Sequence, residues 1–108
     1  MYQPREPYRT DEGTIRCPSA APDSYHEFRF VDGRVQYRRI TPDGTPYGEY
    51  AEWRALSDYR IADQYRASHQ YLQQWFHEHG FTQEVIERFE TEERERQKAL
   101  RRQRRRRR

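Results

Sequence analysis

Three features of the 108-residue sequence predict an α+β fold: alternating residues around an Asp-Gly pair, a change to helical spacing after Ser57, and a glycine at position 80 that divides the helical stretch. The expected architecture is a small three-stranded antiparallel meander followed by two helices that meet in an αα corner. A chain of this length, 36% charged and 32% hydrophobic, holds one small core. The reading divides it into a flexible Pro-containing arm (1–24), one α+β domain (25–90), and a charged helix extension with an arginine tail (91–108).

The arm contains Pro4, Pro7, Pro18 and Pro22 with few aliphatic residues, too little apolar surface to offset the entropy of ordering. Alternation begins at Tyr25, with His26, Phe28 and Phe30 on one side and Tyr25, Glu27, Arg29 and Val31 on the other. Asp32-Gly33 suits a two-residue type I′ turn. Counting outward from it pairs Val31 with Arg34, Phe30 with Val35, Phe28 with Tyr37 and Glu27 with Arg38. Apolar partners then meet on one face and opposite charges on the other.

Thr41-Pro42-Asp43-Gly44 reads as a second turn. A third strand is expected over residues 47–54, with Tyr47, Ala51 and Trp53 on one face, although residues 49–56 contain no helix breaker and also fit the first turns of the next helix. From Ser57, an expected N-cap, the residues Ile61, Ala62, Tyr65, Leu72, Trp75, Phe76 and His79 form an apolar stripe. Gly80 fits the C′ position of a Schellman cap, which would bring Phe81 onto Phe76. Thr82 would cap the next helix, with Phe81 stapled onto Ile86. Beyond Phe89 the apolar stripe ends, and Glu90 to Arg94 and Glu92 to Arg96 form favourable i,i+4 pairs on a helix expected to project from the body.

The expected core aromatics are Phe28, Phe30, Trp53, Tyr65, Trp75, Phe76, Phe81 and Phe89. Six further tyrosines, Tyr25, Tyr37, Tyr47, Tyr50, Tyr59 and Tyr71, are either an adhesive face for a protein partner or the rim of a small core. A foldable part of some 65 residues is a marginal size for a lone core, which favours a protein partner or a homodimer.

Charge is divided unevenly. Arg101, Arg102, Arg104, Arg105, Arg106, Arg107 and Arg108 account for seven of the 21 basic residues, leaving 14 against 18 acidic residues in positions 1–100. The body is therefore −4 and the tail +7. Such a run can neutralise the RNA or DNA backbone without reading sequence, with Arg34, Arg38 and Arg39 on the hairpin as secondary candidates. A solubilising end and an appended tag are the other readings of the run.

No catalytic constellation stands out. The five glycines are isolated, so no phosphate-cradling loop is expected. His77 and His79 flank Glu78, but residues two apart on a helix point about 200° apart, so a metal site is not expected there. One cysteine, Cys17, excludes an intramolecular disulfide and cysteine-based zinc sites, and is expected to be an inert surface thiol. Apolar runs never exceed two residues, giving no candidate transmembrane span or signal-peptide core. The expectation is a non-enzymatic intracellular binding protein without cofactor, metal or membrane partner. The alternative is a protein-directed regulator, phage-type inhibitor or assembly subunit that docks through its acidic, tyrosine-rich body. A three-stranded antiparallel sheet followed by a helix resembles the element order of the plant AP2-type DNA-binding domain. The second helix and the acidic body depart from that pattern, and no residue is carried over.

Overall fold

The computed structural model describes residues 6–19, 23–67 and 69–106. The Asp32-Gly33 turn sets the centre of the sheet. Asp32 and Gly33 both adopt positive φ (52° and 77°), and β3 (Tyr25–Val31) pairs with β4 (Arg34–Ile40) in the expected register, Phe28 opposite Tyr37 and Glu27 opposite Arg38.

Among the described residues, five antiparallel strands, not three, make the sheet, in the order β1-β2-β3-β4-β5. The two additional strands come from the expected flexible arm: β1 (Tyr8–Arg9) and β2 (Ile15–Pro18). Ile15 supplies the missing apolar surface, fully buried opposite Phe28. Pro18 ends β2 and Pro7 precedes β1, places where a missing N–H costs a ladder little. The arm is also fastened at its turn, where Trp75 Nε1 donates to the Gly13 carbonyl (3.1 Å) and Arg9 makes a two-pronged ion pair with Glu78 (2.7 and 2.8 Å).

The expected strand at 47–54 is reduced to β5 (Arg54–Ala55), preceded by an isolated bridge between Ile40 and Pro46. Gly48, at φ 76°, turns the chain before pairing can extend. Trp53 is consequently not in the core. It lies on the opposite face of the sheet, with the Arg29 and Arg38 guanidinium groups 4.2 and 4.4 Å from its ring centroids.

The helical stretch begins as expected, Ser57 Oγ accepting from the Arg60 N–H at the start of α1 (Asp58–Ala67). It does not run unbroken to Gly80. His69 caps a separate α2 (Gln70–Glu78), its Nδ1 accepting from the Tyr71 N–H. The apolar stripe has a gap at this point: positions 68 and 69, one turn after Tyr65, hold Ser and His. An unbroken helix would turn those polar residues toward the core.

The Schellman cap forms with both of its bonds, Phe81 N–H to the Phe76 carbonyl (2.9 Å) and Gly80 N–H to that of His77 (3.1 Å), while Gly80 sits at φ 90°. The Phe81 ring packs edge-on to Phe76 with centroids 6.0 Å apart. Thr82 then caps α3 (Gln83–Arg106), accepting from the Val85 N–H. The helices cover one face of the sheet around Ile15, Phe28, Val35, Ile61, Leu72, Trp75, Phe76 and Ile86. Phe89 is the last buried residue of α3, and the 17 residues to Arg106 carry the helix about 26 Å further. The projection accounts for molecular extents of 56 × 31 × 29 Å.

Candidate nucleic-acid interface

The candidate interface is the distal end of α3. The root of the helix is anchored by Ile86 and Phe89, and Arg66 of α1 forms a two-pronged ion pair with Glu90. The expected Glu90–Arg94 pair is therefore not made, because Glu90 is drawn sideways to α1. The expected Glu92–Arg96 pair is replaced too: Arg96 binds Glu93 through two bonds (2.6 and 3.0 Å), and Glu92 lies 4.0 Å from Arg88. Hydrogen bonds from Arg96 and Gln97 hold the Glu93 carboxyl below its ordinary range. Lys98 pairs with Glu95 at 3.6 Å. In this middle stretch, opposite charges largely neutralise one another along the helix.

Beyond Lys98 the balance changes. Arg101, Arg102, Arg104, Arg105 and Arg106 are exposed and helical, and no carboxylate forms an ion pair with any of them among the described residues. Arg107 and Arg108 lie outside the described residues. Helical spacing puts Arg101 and Arg105 on one face and Arg102 and Arg106 on the next, so guanidinium groups point around much of the circumference. Their mutual repulsion is offset in part by the negative end of the helix dipole. The result is a compact source of uncompensated positive charge held on a rod, away from the acidic body.

The hairpin arginines occupy different settings. Arg38 is committed to the sheet, bonded to Glu27 (2.8 Å from Nε, 2.7 Å from Nη2) and stacked on Trp53. Glu27 is only 2% exposed and also accepts from Arg16 (2.9 Å) and Thr14 (2.9 Å). Burial alone would raise its carboxyl, but those bonds outweigh burial and hold it below the ordinary range. Arg39 is half-buried opposite His26, and its Nε has no hydrogen-bond partner among the described residues. Arg34 is exposed beside the Asp32-Gly33 turn.

The six tyrosines do not converge on one patch. Tyr25 is buried at 8% exposure, in edge contact with Tyr8. Tyr37 is half-buried, accepts from Arg60 (3.0 Å) and neighbours the exposed Tyr50 at 6.3 Å. Tyr47 is half-buried in the loop before β5, while Tyr59 on α1 and Tyr71 on α2 are exposed on separate helices.

The remaining reactive groups are also accounted for. Cys17 is not a surface thiol: it is half-buried opposite His26, and burial pushes it up to about 12. His79 stacks on Phe30 (4.5 Å) and meets Trp75 edge-on (4.5 Å), and His77 bonds the Tyr65 hydroxyl (2.7 Å). Among the described residues, no helix is long and apolar enough to cross a membrane, and no group of three or more His, Cys, Asp or Glu side chains is placed to hold a metal ion. No family model matches the chain, and no curated protein or solved structure shows significant similarity to it.

Proposed function

We propose that the chain is a non-enzymatic binding protein whose α3 end engages the phosphates of RNA, DNA or a comparable phosphate-rich assembly, while the folded body contacts a protein. The observation that carries this reading is the run of five exposed helical guanidinium groups without carboxylate partners among the described residues, set beyond a stretch whose charges are largely paired with one another. Arginine presents a fork of donors suited to phosphate oxygens, and a rod of helix is narrow enough to enter the major groove of duplex DNA. The contacts are to backbone, so the binding discriminates weakly between sequences. Within this reading Arg107 and Arg108 extend the same run, and Arg34 is an auxiliary contact.

A salt titration of affinity for a short duplex tests it, comparing the full chain with a truncation ending at Leu100. Loss of binding on truncation supports the proposal. Equal binding by the two proteins overturns it and favours the alternative, a regulator that docks through the acidic body with its exposed Tyr50, Tyr59 and Tyr71.

A further inference from the structure

Leu100 has no role in the fold or in phosphate binding. It is the single large aliphatic residue after Phe89, and it stands 37% exposed on the projecting part of α3. Eleven residues of continuous helix place it about 16 Å along the axis from Phe89, so it cannot return to its own core.

A surface that suits it lies at the root of the same helix. Between α1 and α3 are two adjoining depressions of about 210 and 300 Å³, both walled by Tyr59, Phe89 and Glu93, with Ala62 lining the smaller one. Tyr59 is 52% exposed, leaving an aromatic face open to solvent. The rim is acidic in its uncompensated charge. Among the described residues, Arg66 is spent on Glu90 and Arg96 on Glu93, Arg94 donates to the Thr91 hydroxyl and has no carboxylate partner, and Asp58 and Asp63 have neither an ion-pair nor a hydrogen-bond partner, which leaves two unpaired carboxylates against one unpaired guanidinium.

We propose that this groove receives the α3 end of a second copy of the chain, with Leu100 seated against Tyr59, Ala62 and Phe89 and the flanking arginines reaching Asp58 and Asp63. The recognition is of the helix-in-groove kind. Arginine stems extend the apolar contact, and their guanidinium groups stack on an aromatic ring while pairing with a carboxylate. Each copy offers one end and one groove, so two copies that exchange both ends close into a two-fold dimer, whereas a single end-in-groove contact passed from copy to copy generates rings or open chains. Because it rests on few contacts and exposed charges, it is weak and salt-sensitive. It also draws on the arginines assigned to phosphate, so a polyanion competes with self-association.

Sedimentation of the full chain without nucleic acid tests the proposal. The expected result is concentration-dependent growth above 13.4 kDa at about 50 mM salt that disappears at about 500 mM. Two variants are then used, Asp63→Arg to reverse the groove and Leu100→Glu to spoil the end, both checked for unchanged circular dichroism. Neither should self-associate alone. Mixed together they should form a heterodimer and nothing larger, because the intact end of Asp63→Arg meets the intact groove of Leu100→Glu. Should Asp63→Arg fail to fold, Asp58→Arg reverses the same rim. A full chain that stays monomeric at low salt overturns the proposal, as does a single variant that associates like the wild type or a mixture that does not pair. None of these outcomes depends on whether the α3 end binds nucleic acid.

Discussion

Replacing Glu27 by Gln should be among the most damaging single changes in the sheet. The carboxylate is 2% exposed and accepts from Arg16, Arg38 and Thr14 at 2.7–2.9 Å, joining β2 to β3 and β3 to β4. Glutamine keeps the shape but loses the charge that balances two guanidinium groups, and its amide places N–H donors against other donors. Breaking a fully buried pair costs about 3–5 kcal/mol. The two arginine side chains are 22% exposed, so water recovers part of this and the expected cost is about 2–4 kcal/mol.

For a domain of this size, that loss lowers Tm by roughly 10–20 °C. The pH dependence gives a second signature. Because the folded-state pKa of Glu27 is depressed, its contribution is fully present above the unfolded value near 4.3 and is lost as pH falls through the lower folded value. Urea unfolding followed by far-ultraviolet circular dichroism should therefore show a wide gap between wild type and Glu27→Gln at pH 7 that narrows below pH ~4.3. A cost under about 0.5 kcal/mol, or a gap that persists unchanged into acid, would refute the assignment of Glu27 as the charged centre of the sheet.

Cys17 should be nearly inert in the native protein. A thiol pushed up to about 12 holds on the order of a thousandfold less thiolate at pH 8 than an unfolded cysteine, so labelling by a thiol reagent should be slower in proportion, and native labelling within tenfold of the unfolded rate would contradict it. Gly80→Ala forces a side chain into φ 90° at the Schellman cap and should cost about 1–2 kcal/mol by urea unfolding, with no change in nucleic-acid affinity. Arg38→Ala separates structure from function: removing a partner of Glu27 and Trp53 should lower stability by about 2–3 kcal/mol while changing affinity for a duplex less than threefold, and the reverse pattern would make Arg38 a binding residue.

Local chemistry made some elements legible and long-range contact hid others. The Asp32-Gly33 hairpin and the Gly80 cap could be read because a turn or a cap is specified by a few neighbouring residues. The strands at Tyr8–Arg9 and Ile15–Pro18 were not expected, since four prolines masked a single buried aliphatic, Ile15, whose partners lie elsewhere in the chain. A signal was nevertheless present. Thr10-Asp11-Glu12-Gly13 repeats the Thr-x-x-Gly spacing of Thr41-Pro42-Asp43-Gly44, and both close the same way, glycine N–H to threonine carbonyl (3.1 and 2.9 Å).

Trp53 and Glu27 show the other limit. Hydrophobic bulk suggested a core position for Trp53, but two arginines on the opposite face offered it a stacking site, and no local pattern encodes that preference. At the candidate interface the charge run itself was plain in the sequence. What only the structure adds is that five of its arginines continue a helix and that the preceding glutamates are directed to Arg66, Arg88, Arg96 and Lys98.

The most direct test of the central claim is the dependence of duplex-DNA affinity on salt for the full chain and for the truncation ending at Leu100. Engagement of five to seven arginines predicts a log–log slope of about −4.5 to −6.3, so that binding weakens roughly 500-fold or more between 50 and 200 mM salt, with the truncation losing most of its affinity at low salt. A shallow slope near −1, or a truncation that binds as tightly as the full chain, would contradict a phosphate-binding role for the α3 end.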